Sequence, residues 1–186
     1  VTAIAPAATA HDDPAIAATR LWLERAVIGL NLCPFARAPY VKDRVRMQVS
    51  NATNEDELVA DLAEELGLLA AAEPDEFETT LLIHPLVLQD FHDFNDFLEI
   101  ADATVTALGL EGELQVASFH PDYQFADAAP DAIENCTNRS PFPTLHLLRE
   151  SSIDRAIEAI EDTDEIYRRN IESLRALGWE GWRRLM

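Results

Sequence analysis

Two short apolar runs, Thr79–His84 (TTLLIH) and Leu114–His120 (LQVASFH), both stop at a His-Pro dipeptide, and the residues between them repeat at helical spacing. Val87, Phe91, Phe94, Leu98, Ala101, Val105 and Leu108 form that stripe, and Gly109 ends it. Upstream, Val45, Met47 and Val49 alternate with Arg44, Arg46 and Gln48, which predicts a half-buried strand over Arg44–Ser50. Thr53 and Asp56 then resemble a helix cap, and Leu58, Leu62, Leu66 and Leu69 mark the helix that follows. Strand–helix–strand–helix–strand implies two right-handed crossovers and three mutually parallel strands. Thr144–Arg149 (TLHLLR) predicts a fourth strand, reached without a helix through Pro121–Pro143 and therefore antiparallel. The expected fold is α/β, with a mixed four-stranded sheet of three parallel strands plus one antiparallel strand.

Helices frame this sheet. The first is expected over Pro14–Leu30, capped by Asp12 or Asp13, and Pro34 and Pro39 then predict an irregular stretch from Asn31 to Lys42. Two extra helices close the chain, at Ser152–Ile160 and at Asp164–Leu177, where Gly178 stops the second. The 186 residues fit one domain, expected at 14–178 after a disordered tail at 1–13 and before a C-terminal extension at 179–186. In that extension the exposed Trp179 and Trp182 either dock on another subunit or fold back on the core. With 48% hydrophobic and 26% charged residues the chain is globular, because a disordered acidic segment would lack the apolar residues.

The net charge is −20, and its distribution matters more than its total. From Met47 to Asn138 there is no Lys or Arg but 21 acids, so the rest of the chain carries every cation and sums to +1. Nucleic acid and anionic membrane are excluded as general partners, since phosphates must be met by Lys and Arg. No apolar run approaches the roughly 18 residues of a membrane span. Cys33 and Cys136 are too few for a disulfide scaffold, and the first ten residues lack the cationic start of a signal peptide. A cytoplasmic protein is expected.

In parallel strands His84 and His120 lie at the carboxyl edge of the sheet, where open α/β sheets bind ligands. The long Pro121–Pro143 connection leaves from that edge with Asp122, Tyr123 and Gln124 and returns with Asn138, Arg139 and Ser140. Cys33, in the Asn31–Ala36 segment NLCPFA, is a nucleophile if a neighbouring base activates it, and a small buried apolar residue otherwise. The candidate catalytic set is Cys33, His84 and His120, the last oriented by Asp122. Arg139, Asn138, Tyr123, Gln124, Arg37 and His146 are candidate binding residues, although a satisfied core histidine is an equal reading of His146. Arg44 and Arg46 are expected on a charged, solvated face.

An enzyme is the first expectation, a thiol- or histidine-dependent hydrolase or transferase acting without a cofactor on a small anionic metabolite. A non-catalytic ligand- or protein-binding module is the alternative. A metalloprotein is the third, because Cys33, His84, His120, Asp122 and His146 supply enough donors, although none has the close spacing of a zinc motif. Phosphate-loop and dinucleotide fingerprints are absent, as is a Gly-x-Ser-x-Gly elbow.

Three longer motifs carry a resemblance: Trp22–Ala36 (WLERAVIGLNLCPFA), Ser118–Phe125 (SFHPDYQF) and Thr137–Glu150 (TNRSPFPTLHLLRE). Over about Ala17–Leu177 the chain resembles an uncharacterised bacterial family, domain of unknown function 1415. The resemblance implies a stand-alone bacterial protein and attaches no activity to it. The motif positions it carries over are Cys33, His120, Asp122, Tyr123, Gln124, Asn138, Arg139, His146 and Arg149. Asp127 stands where the family pattern implies glycine, and Cys136 where it implies an aromatic residue, which weakens any role for Cys136.

Overall fold

The Asp13 carboxylate accepts the Ala15 N–H and Pro14 fills the first turn, which starts α1 (Pro14–Trp22) where the cap-plus-proline pattern places it. The computed structural model describes residues 13–157 and 163–186. The tail expected at 1–13 lies outside the described residues except for Asp13, and so does the helix end expected at 158–160. Beyond Trp22 the first helix continues as a π-helical segment, Leu23–Ile28, and Asn31 leaves it in the left-handed region at φ 55°. The stretch expected to be irregular contains a short helix, α2 (Arg37–Val41), with Pro39 in its first turn, where no intrahelical N–H is required.

The remaining elements are β1 (Val45–Val49), α3 (Glu55–Ala71), β2 (Thr79–Ile83), α4 (Phe91–Ala107), β3 (Leu114–Phe119), β4 (Thr144–Arg149), α5 (Glu150–Ile157) and α6 (Thr163–Leu185). Asn54, rather than Thr53, caps α3 by accepting the Glu57 N–H. α4 begins at Phe91 because Leu88 is left-handed at φ 56° and Asp90 caps the helix. Gly178, at φ 67°, kinks α6 instead of ending it. Past that kink Trp182 is only 6% exposed and joins Trp22, Leu81 and Leu174 in one core cluster. The last helix therefore folds back on the core, the second of the two readings open for this segment, and Trp182 is buried there rather than exposed.

Strand order is β1-β2-β4-β3. The mixed four-stranded sheet is as expected, but the expectation of three mutually parallel strands plus one antiparallel is corrected in its pairing: only β1 and β2 pair in parallel, while β4 lies antiparallel between β2 and β3. β3 keeps the direction of β1 and β2 without pairing with either. Burial explains the arrangement. β2 is buried at every position and Leu145 and Leu147 of β4 are fully buried, as central strands should be, whereas β3 carries Gln115 and suits an edge.

Register fixes the two faces. Leu81 pairs with Met47 and with His146, and His146 also pairs with Ala117, so these four side chains form one row on one face. On the other face α3 and α4 pack Leu62, Leu66, Phe94 and Phe97 against Leu82 and Leu145. The first face is covered by α1, its π-helical extension and α6, and that cover is incomplete.

Candidate functional site

His84 and His120 follow directly from β2 and β3, so both stand at the carboxyl edge, and both point to the α4 side of the sheet. Each is fully buried. Their rings pack on Phe94, with centroids 5.7 Å away for His84 and 5.0 Å for His120. His84 Nδ1 lies 3.1 Å from the Val87 carbonyl, and its Nε2 is buried with no partner. His120 Nδ1 accepts the Asp122 backbone N–H at 3.0 Å, which leaves Nε2–H to donate to Leu88 O at 3.2 Å. Asp122 thus orients His120 through its main chain, while its own side chain is exposed.

Other edge candidates hold the long loop. Arg139 donates to Tyr123 O at 3.1 Å and Pro130 O at 2.8 Å, and its guanidinium lies 5.7 Å from the Trp179 ring centroid. Gln124 donates to Ala128 O at 2.8 Å. The Tyr123 hydroxyl meets the Asn138 side chain, and burial raises its pKa.

On the opposite face a cavity of about 740 Å³ runs over the sheet, lined mostly by apolar side chains. Ala117, Phe119, His146 and Leu148 contribute from the strands; Leu23 and Val27 come from the π-helical segment, and Cys33 from the loop after it. The backbone N–H groups of Phe35 and Ala36 favour the Cys33 thiolate, but burial outweighs them and raises the pKa. One end of the cavity is lined by Lys42, Arg44 and Arg155, where Arg44 pairs with Asp75 and Arg155 lies 3.5 Å from Glu78. Lys42 makes no ion pair with a described residue. Arg46, expected to be solvated, is instead fixed to the buried Glu65 by two 2.8 Å bonds on the other face.

The sequence candidates therefore divide. The structure brings Cys33, His146 and Asn138 to the cavity, and the sheet separates Cys33 from His84 and His120. Arg37 is exposed on α2 and does not line the cavity. Among the described residues no three His, Cys, Asp or Glu side chains are placed to hold a metal ion.

A family model described as a protein of unknown function, DUF1415, matches residues 14–184. The chain belongs to the DUF1415 family. No curated protein and no solved structure matches it. In this DUF1415 chain no described helix is long and apolar enough to cross a membrane. Sequence reasoning did not single out Thr79, Phe119 or Trp22 as cavity residues. The usable signal was the alternation along β2 and β3, which puts Thr79 and Phe119 on the face of His146 once the register is known.

Burial gives the DUF1415 histidines a marked pH signature. His84 has its pKa lowered from 6.5 to about 4. Between those values the unfolded chain binds the proton more readily, so the stability held by His84 is complete above pH 6.5 and is lost as pH falls towards 4. At roughly 1.4 kcal/mol per unit, acidification from pH 7 to 5 should cost the wild type about 2 kcal/mol more than His84→Gln. Urea unfolding at the two pH values measures this, and equal losses would show that His84 titrates normally.

Proposed function

We propose that the protein binds a small, largely apolar molecule with an anionic end in the cavity on the open face of the sheet. The observation that carries this reading is the cavity itself: about 740 Å³ lies within the usual range of ligand sites, and its apolar lining is interrupted by a few polar groups. Lys42, Arg44 and Arg155 oppose two carboxylates at its mouth, a locally positive place in a chain of net charge −20. An anion would be drawn there and repelled from the acidic helices α3 and α4.

The cavity supports this reading further than the carboxyl edge supports a catalytic one. At the edge the histidines are enclosed and Arg139 is committed to loop carbonyls. The balance at Cys33 also favours binding over thiol catalysis, because burial keeps the thiol protonated in the unliganded protein. Exclusion of nucleic acid follows from the same charge distribution, and two free cysteines suit a reducing, cytoplasmic setting.

The test is a titration with the apolar anion anilinonaphthalene sulfonate, whose fluorescence rises on burial. Ala117 faces the cavity, so Ala117→Trp should obstruct it from the sheet side without disturbing the opposite core. One saturable site is expected in the wild type and at least tenfold weaker binding in the variant. Equal binding by both proteins would overturn the proposal.

A further inference from the structure

His146 stands mid-strand in the row that floors the cavity, and its hydrogen bonds fix its tautomer. Its Nε2 lies 2.7 Å from Thr79 Oγ1, and the same hydroxyl lies 2.7 Å from Leu147 O. A carbonyl only accepts, so the single Thr79 proton goes to Leu147 and Thr79 accepts from His146. The imidazole therefore carries its hydrogen on Nε2 and keeps a bare lone pair on Nδ1. That atom has no partner among the described residues and is not among the enclosed polar atoms, so it opens to the cavity that His146 lines. Burial lowers the His146 pKa to about 4, so the neutral ring is the form present at pH 7.

The surroundings are aromatic. The Phe119 ring centroid lies 5.8 Å from that of His146 and 5.0 Å from that of Trp22, and all three residues line the cavity. A flat ring can lie against such a wall.

We infer that the cavity selects a planar aromatic ligand that presents a hydroxyl or N–H hydrogen to His146 Nδ1, with phenols as the fitting class. The inference rests on the proposed ligand site and specifies its occupant. An apolar ligand without a donor would cover the lone pair and leave it unpaired, and that penalty is the source of selectivity.

The experiment is displacement of anilinonaphthalene sulfonate by para-hydroxybenzoate and by benzoate, from the wild type and from His146→Phe. The phenylalanine keeps the ring and leaves Thr79 free to donate to Leu147. In the wild type para-hydroxybenzoate should compete about three- to tenfold better than benzoate, the worth of one neutral hydrogen bond. In His146→Phe the two acids should compete equally. Equal competition in the wild type, or an unchanged preference in the variant, would overturn the inference while leaving the cavity as a binding site. Failure of both acids to displace the dye would overturn the inference, while the Ala117→Trp titration decides the proposed function separately. Nitrogen NMR of the wild type is independent of any variant: the Nε2–H tautomer is expected for His146, and the Nδ1–H tautomer would overturn the inference alone.

Discussion

Replacing Phe94 by alanine should remove about 3–5 kcal/mol of folding stability, the range for deleting a fully buried phenylalanine. Phe94 is 0% exposed and lies in the core between the sheet and α4. Its ring supports His84 and His120, whose nitrogens hold the Val87 and Leu88 carbonyls of the turn leading into α4. Those rings cannot close over the void without giving up these bonds, so the upper half of the range is expected. Typical domains have only 5–15 kcal/mol in total, and the loss should be plain in the urea midpoint with an unchanged slope. A loss under about 1 kcal/mol would mean that the histidine edge is loosely packed.

A comparable loss is expected for Arg149→Met. Arg149 ends β4, is 7% exposed, and its Nη2 donates at 2.6 Å to both Leu69 O and Ala72 O in the last turn of α3. Those carbonyls are the unpaired end of a helix dipole, and a guanidinium there answers both the charge and the hydrogen bonds. Two charge-assisted bonds at roughly 1.5–3 kcal/mol each put the cost of methionine at about 3–6 kcal/mol. Arg149→Lys retains the charge and reaches fewer carbonyls, so it should lose about half as much. Thermal unfolding of the three proteins checks the order, and a lysine variant as unstable as the methionine variant would show that the reach of the guanidinium, not its charge, is what matters.

The elements of the fold were legible where burial has a period. α3 and α4 declared themselves through leucine and phenylalanine stripes, and each strand through its apolar run. Strand order was less accessible because crossover logic places successive strands side by side, whereas β4 enters between β2 and β3 only after the long loop. The clue lay in composition: TLHLLR is apolar enough for a central position, and the glutamine of LQVASFH marks an edge. The two His-Pro ends correctly place both histidines at one edge, yet sequence spacing could not tell that His84 and His120 face α4 while His146 faces the other way. That distinction depends on strand parity, which the register supplies. The cavity was hidden for a related reason, since its walls come from segments far apart in the chain. Among the candidates, Cys33, His146 and Asn138 reach it, and Arg139 and Gln124 instead brace the loop.

The most direct measurement is amide NMR of the protein titrated with anilinonaphthalene sulfonate. Binding over the open face of the sheet should shift the amides of Leu32, Cys33, Phe35 and Ala36, of Gln115–Phe119 and of His146–Leu148, leaving those of Leu88–Phe91 unmoved. Shifts concentrated at His84, His120 and Leu88–Phe91 would contradict the assignment and return the binding site to the carboxyl edge.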